Sequence, residues 1–351
     1  MPKDATDSAG EAEFVAALRR MGLLADAETA ALAPLSGGVS SDIVRVELPR
    51  GTVCVKRALA RLKVRAEWQA PVERNRWEVE WMRVAGSTVP EAVPQVLGED
   101  RACGMFAMEY LEPARNPVWK TQLRDGVIEA DFAAEVGRRI ARIHAASARR
   151  ADLAARFATD HIFFPIRLEP YLAATARAHP DCAASLLALI DTTSSNKLAL
   201  VHGDVSPKNI LCGVHGPVFL DAECAWFGDP AFDLAFCLNH LLLKCAWHPE
   251  WTDRYLACFR MLASAYLCLV DWEPAEALEA RAARLLPGLL LARVDGKSPL
   301  EYLTERWQHE AVRAVGRSFL LDPVVELQTI ATQWRSVLAT GTPPPAASAN
   351  A

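Results

Sequence analysis

Two hydrophobic periods divide these 351 residues. Near the N-terminus the short period dominates. Ile43-Val44-Arg45-Val46-Glu47-Leu48 and Thr52-Val53-Cys54-Val55-Lys56 read as strands joined by a turn at Pro49-Arg50-Gly51, and the glycine turn Gly37-Gly38 separates them from an earlier strand. Met105-Phe106-Ala107-Met108-Glu109 reads as a further strand that runs into an extended segment ending at Pro113. Helical spacing appears at residues 11–24 (Phe14, Leu18, Met21), and at 71–84 with Pro71 in the first turn and Trp77, Trp81 and Val84 on one face. It returns at 131–150 (Phe132, Val136, Ile140, Ile143) and, past residue 245, at 251–270, 274–291, 300–321 and 324–338. The pattern predicts an α+β chain whose strands are concentrated early.

Between the helical halves lies Leu200-Val201-His202-Gly203-Asp204-Val205-Ser206-Pro207-Lys208-Asn209-Ile210-Leu211, followed by Val218-Phe219-Leu220-Asp221-Ala222-Glu223. Short apolar strands lead into a polar loop and out again, so Asp204, Asn209 and Asp221 are expected to face one site. Phosphoryl transfer to an alcohol needs a carboxylate that orients the hydroxyl and accepts its proton, and oxygen ligands that hold Mg²⁺ against the phosphates of ATP. Asp204 suits the first task, and Asn209 and Asp221 the second. Asp-x-x-x-x-Asn, with a second aspartate beyond it, matches the protein-kinase catalytic loop and metal-binding aspartate.

These motifs, with Phe227-Gly228-Asp229-Pro230-Ala231-Phe232-Asp233-Leu234-Ala235 after them, resemble the aminoglycoside phosphotransferase and choline kinase family. The resemblance implies a protein-kinase-like two-lobe fold, with a small N-terminal antiparallel sheet lobe and a larger, mainly helical C-terminal lobe. It also implies ATP and Mg²⁺ as cofactors. Gly37, Gly38, Ser40 and Ser41 form a loop suited to phosphates, because glycine lets backbone N–H groups approach and serine adds hydroxyl donors. Lys56 stands where kinases grip the α- and β-phosphates, and Glu78, with Glu80 as the alternative, is expected to hold it. Met108, the Glu109 carbonyl and the Leu111 N–H are implied as adenine contacts. Lys208 can steady the transferred group.

Asp221 and Glu223 flank one residue, so on a strand both would point the same way and could ligate Mg²⁺ together. This Asp-x-Glu resembles methylthioribose kinases, as does the segment around Trp68 with Arg74 and Glu78. By the same family analogy, His202 bridges the loop backbone to a carboxylate such as Asp233. His144 reads as a satisfied core histidine, and Asp229 and Asp233 as caps of a helix over residues 231–244.

Composition narrows the partners. With 51% hydrophobic and 23% charged residues and a net charge of −5, the chain can bury a large core and offers no basic field for nucleic acid. Nine cysteines without Cys-x-x-Cys spacing, including Cys54, Cys212, Cys237 and Cys268 in apolar runs, point to buried thiols and a cytoplasmic protein. The polar start shows no signal-peptide core, and Arg260 breaks the longest apolar stretch, so no membrane segment is expected. The expected division is 1–30 (a loose start and a helix), 31–111 (nucleotide-binding lobe), 112–339 (catalytic and substrate lobe) and 340–351 (disordered tail), in a monomer or homodimer. Substrate specificity is expected in residues 151–197 and beyond 245, where the polar turn 293–299 can reach the acceptor. Acidic and basic residues nearly balance past residue 240, which disfavours a polycationic aminoglycoside. The expected acceptor is a small hydroxylated metabolite, a methylthioribose-like sugar or an amino alcohol. An aminoglycoside kinase and a non-catalytic nucleotide-binding pseudokinase are the alternatives.

Overall fold

The computed structural model describes residues 5–35, 41–59 and 73–341. Gly37, Gly38, Ser40, Trp68, Pro71 and the tail from residue 342 lie outside them. The early strands form one antiparallel sheet, β1 (Ala31–Pro34), β2 (Ser41–Leu48), β3 (Gly51–Ala58), β4 (Val96–Asp100) and β5 (Met105–Glu109), in the order β1-β2-β3-β5-β4. Strand alternation gives this sheet two different faces. Val44, Val46, Val53, Val55, Met105 and Ala107 pack against Phe14, Ala17 and Leu18 of helix α1 (Ala5–Arg20). Cys54 and Lys56 point the other way, opposite Met108 and Phe106 in register. The expected helix start at Glu11 falls inside α1, which begins within the segment expected to be loose.

Helix α2 (Arg74–Thr88) buries Arg74, Glu78, Trp81, Met82 and Ala85, a stripe repeating every three to four residues. Trp77 and Val84 are only half-buried, so the apolar stripe expected from sequence is rotated toward the face that carries two charges.

Residues beyond the sheet are mostly helical: α3 (Trp119–Arg124), α4 (Ala130–Ser147), α5 (Ala151–Arg156), α6 (Asp160–Phe163), a π-helix (Phe164–Ala173), α7 (Ala174–Ala178) and α8 (Ala183–Ser195). After the polar segment 202–209 and the short strands that follow it come α9 (Ala231–Trp247), α10 (Thr252–Leu267), α11 (Ala275–Asp295), α12 (Arg306–Leu321) and α13 (Leu327–Gly341). The last of these carries Thr340 and Gly341, which the sequence assigned to the tail. Helix α9 is buried on all sides from Ala231 to Ala246 and forms the axis of the C-terminal core. Pro170 lies inside the π-helix, where its missing N–H removes a helical hydrogen bond.

Two short ribbons interrupt the helices. β6 (Ala199–Val201) pairs with β9 (Trp226–Gly228), and β7 (Ile210–Gly213) pairs with β8 (Gly216–Phe219). All nine cysteines are free. Cys212 is half-buried and Cys268 exposed, so the expectation of buried thiols fails at those two positions. No helix among the described residues is long and apolar enough to cross a membrane.

Candidate active site

Strand β6 delivers the chain into the loop His202-Gly203-Asp204, and backbone geometry explains why the middle residue is glycine. Gly203 has φ +81°, and a Cβ there would lie 2.8 Å from the Cys224 carbonyl oxygen. The buried Asp233 carboxylate, in the first turn of α9, accepts the N–H of His202 at 2.7 Å and of Gly203 at 2.9 Å. His144 adds a contact to the same carboxylate at 3.2 Å and meets the Tyr266 hydroxyl at 2.7 Å.

The His202 ring lies 3.1 Å from both the Asp204 N–H and the Leu220 carbonyl oxygen. A ring that accepts at Nδ1 and donates at Nε2 is neutral, which agrees with the downward pKa shift that burial imposes. Trp81 of α2 stands edge-on to this ring, with centroids 4.7 Å apart. The loop therefore contacts the helix that carries Glu78.

Asp204, 4% exposed, emerges between two cations. Arg167 Nη2 is 2.9 Å and Lys208 Nζ 3.1 Å from its Oδ2. Burial alone would raise the carboxyl, but Lys208 and Arg167 outweigh it and hold it at about 2. Asp204 is thus an ionised acceptor. Asn209 Nδ2 donates to the Asp204 carbonyl at 3.2 Å, leaving its amide oxygen as the outward acceptor.

Lys56 comes to this loop from β3. Its Nζ is 2.7 Å from Glu78 Oε2 and bonds Asp221 Oδ1. Burial would lower the ammonium, but Asp221, Glu78 and Glu223 together raise it, so the lysine stays charged. Glu78 moves up because its own burial outweighs the pull of Lys56. One helical turn before Glu78, Arg74 Nε donates to Glu223 Oε2 at 2.9 Å. Spacing of i, i+4 thus lets one face of α2 engage both the sheet lysine and the segment after β8.

A family model described as "Phosphotransferase enzyme family" matches residues 31–278. The chain belongs to that family. Among curated relatives, a methylthioribose kinase of Erwinia tasmaniensis is 27% identical over 223 residues, covering 55% of this chain and 55% of that protein. The chain spans about half the length of the curated relatives it matches. Two solved structures share the fold at low identity. A choline kinase from Cryptosporidium parvum has a TM-score of 0.53 at 12% identity, covering 92% of this chain and 99% of that one. An amicoumacin kinase in complex with AMP-PNP, Ca²⁺ and Ami has a TM-score of 0.54 at 13% identity, covering 93% and 96%. The fold is the kinase-like one expected, with its sheet before the helices.

The structure brings Lys56, Glu78, Asp204, Lys208, Asn209, Asp221 and Glu223 into one neighbourhood of this phosphotransferase fold. Glu78, not Glu80, meets Lys56; Glu80 faces Arg83, Arg101 and Arg156. Ser41 opens β2 with a buried hydroxyl, while Gly37, Gly38 and Ser40 lie outside the described residues. Met108 is buried, Glu109 ends β5 with its N–H on the Gln95 carbonyl at 2.8 Å, and Leu111 follows half-buried.

Some expectations need correction. Asp221 and Glu223 do not sit on a strand: β8 ends at Phe219, and Asp221 adopts φ +67°, so their shared direction by alternation fails. One turns to Lys56 and the other to Arg74. The His202 ring does not reach Asp233; its backbone N–H does. Asp229 caps α9 through the Ala231 N–H at 3.0 Å, whereas Asp233 clamps the loop instead of capping. Arg293 lies within α11, which runs to Asp295, and is buried, so the polar turn expected at 293–299 starts only after that helix.

Arg167 was missed. Its signal was a lone charge in Phe164-Pro165-Ile166-Arg167-Leu168, where an unpaired arginine is too costly to bury and therefore implies a partner.

Proposed function

We propose that this chain transfers the γ-phosphoryl group of ATP to a hydroxyl of a small metabolite, a methylthioribose-like sugar or an amino alcohol ahead of an aminoglycoside. The observation that carries this reading is that the ionised, buried Asp204 and the Lys56, Glu78 and Asp221 cluster stand side by side, joined by the His202 ring that bridges the Asp204 N–H and the Leu220 carbonyl next to Asp221. Asp204 orients the acceptor hydroxyl and takes its proton as the oxygen attacks. Lys56, kept charged by its carboxylates, is the ligand for the nucleotide phosphates, and Lys208 offsets negative charge on the group in flight. The Met108 to Leu111 segment is the adenine edge, and the loop from Gly37 to Ser41 is its phosphate cover.

Mg²⁺ fits this donor set. Among the described residues no three His, Cys, Asp or Glu side chains are grouped to hold a metal, and Mg²⁺ characteristically takes one or two protein oxygens with waters and phosphates completing its shell. Asn209 and Asp221 supply such oxygens. Glu223 adds negative charge beside them while Arg74 holds its Oε2. When bound, the ion neutralises phosphate charge.

The test is an acceptor screen with Mg-ATP, with Asp204→Asn as control. The expected result is turnover of a small alcohol by the wild type, and a loss of about 10²–10⁴-fold in the variant while nucleotide affinity is retained. A near-normal variant rate contradicts the base assignment. ATP binding without turnover of any alcohol would favour the pseudokinase alternative.

A further inference from the structure

We propose that the acceptor carries an anionic group, and that Lys244, His240, Arg293 and Tyr302 form the subsite that receives it. The proposal rests on the kinase reading of Asp204 and Lys56 and narrows its acceptor, favouring an anionic sugar derivative over a neutral sugar or an amino alcohol. Its starting point is α9. Asp233 clamps the catalytic loop from the first turn of this helix, and Phe236, His240 and Lys244 follow at spacings of three and four on one face. His240 lies about 10 Å along the axis from Asp233.

Lys244 is 1% exposed, and among the described residues its ammonium has neither a hydrogen-bond acceptor nor a carboxylate. It lies 4.1 Å from the ring centres of both Trp247 and Tyr302, which attract a cation but accept no strong hydrogen bond. His240 Nε2, Arg293 Nε and the Tyr302 hydroxyl are likewise buried without hydrogen-bond partners. Arg293 Nη1 is fixed by the Tyr171 hydroxyl at 3.1 Å and Ser298 Oγ at 3.0 Å. Glu301, next to Tyr302, is the carboxylate nearest in sequence, and Lys120 Nζ occupies it at 2.5 Å.

Buried polar groups are normally paired, and a buried cation is costly when it is not. A group of unpartnered donors brought together from α9, α11 and the loop before α12 is therefore suited to a group that supplies acceptors and opposite charge. Most charges that bear on it are positive, and the one opposing carboxylate among the described residues, Glu301, is itself paired with Lys120. Burial, then Arg293, Lys244, Lys208 and Lys120, push the His240 imidazole well down, and burial, then Lys120, pushes Lys244 down to about 7. Ring contacts place the subsite near the loop: Arg167, which meets Asp204, lies over the Phe236 ring at 5.8 Å, and Phe236 stands 5.4 Å from the His240 ring. An acceptor ammonium would add a like charge here, whereas a carboxylate or phosphate would find donors and opposite charge.

Two measurements test this. In protein saturated with Mg²⁺ and AMP-PNP, calorimetric titration should show malonate or inorganic phosphate binding and glycerol not, with Lys244→Met weakening the anion at least tenfold and Lys244→Arg retaining part of it. Lys244→Met should also raise the melting temperature of the free protein, because it removes an unpartnered buried cation, whereas a merely structural lysine would give a fall. In turnover, ribonate or ribose 5-phosphate should exceed ribose and choline in kcat/KM, and Lys244→Met should shrink that preference at least tenfold, mainly through KM. Absence of anion binding, equal binding by the variant, a lowered melting temperature, or a preference for ribose or choline overturns the proposal. If anions bind as described but no alcohol is phosphorylated, the subsite stands and the kinase reading fails.

Discussion

Replacing Arg167 with methionine keeps most of the side-chain stem and removes one of the two cations that hold Asp204 ionised. The carboxyl sits at about 2 against an ordinary 3.8, although its burial pushes it the other way. A depression of roughly two units corresponds to about 2.5 kcal/mol of linkage. Of its two cations, Lys208 has a side chain 55% exposed, so solvent screens it, while Arg167 is buried and in register with Oδ2 at 2.9 Å. Without Arg167, burial reasserts itself and Asp204 is expected near or above its ordinary value. Breaking a buried pair from one side costs about 3–5 kcal/mol at neutral pH.

The pH dependence follows from the direction of the shift. A carboxyl depressed in the folded state contributes stability above its unfolded pKa, and that contribution disappears as pH falls from about 4 through about 2. Urea unfolding from pH 7 to pH 3 should therefore show the deficit of Arg167→Met narrowing as the wild type loses what the variant never had. The acid limb of the rate profile should move up by about a unit or more. A deficit of constant size across this range, with an unmoved acid limb, would refute the electrostatic role of Arg167.

Other side chains of the cleft give separate expectations. Lys56→Met leaves Glu78 and Asp221 without their ammonium, and unfolding free energy should fall by about 3 kcal/mol at pH 8. Glu78 is already raised by burial, and with the lysine gone it rises further, so urea titrations should show a smaller deficit at pH 5, where the folded state can take up the proton. Asp233→Ala strands two buried backbone donors of the catalytic loop and should cost about 3–5 kcal/mol in denaturant unfolding, with Asp233→Asn intermediate because one acceptor oxygen remains.

Local signals made the catalytic loop readable before any coordinates. Strand periodicity bracketed Asp204 and Asn209, and the β2 and β3 pattern placed Lys56 on a strand end. Glu78 could not be separated from Glu80 because the buried stripe of α2 includes charges, and only the position of Arg74 relative to Glu223 fixes which face turns inward. β4 and β9 were invisible for other reasons: one is broken by a bulge between Val96 and Gly98, and the other is three residues long. Asp221 misled because its left-handed backbone has no marker in a residue other than glycine. Arg167 reaches Asp204 from a π-helix interrupted by proline, so no helical period connects it to the loop it serves.

The two groups of buried charges differ in how charge is handled, and that difference decides what a stability measurement means. Around Asp204 and Lys56 every cation has a carboxylate: Arg167 and Lys208 share Asp204, Lys56 has Glu78 and Asp221, and Arg74 has Glu223. Removing a buried member of such a pair, Arg167, Lys56 or Arg74, deprives a carboxylate of its buried cation, so substitutions there should cost stability and rate together. Around Lys244, among the described residues, the folded chain carries the cost of burying a cation whose ammonium has no hydrogen-bonded or directly paired carboxylate. Substitution to an apolar residue of similar shape there should separate the two quantities, raising stability while lowering anion affinity. The sign of the stability change thus distinguishes side chains that hold the catalytic groups in place from those that wait for a ligand, before any acceptor is known.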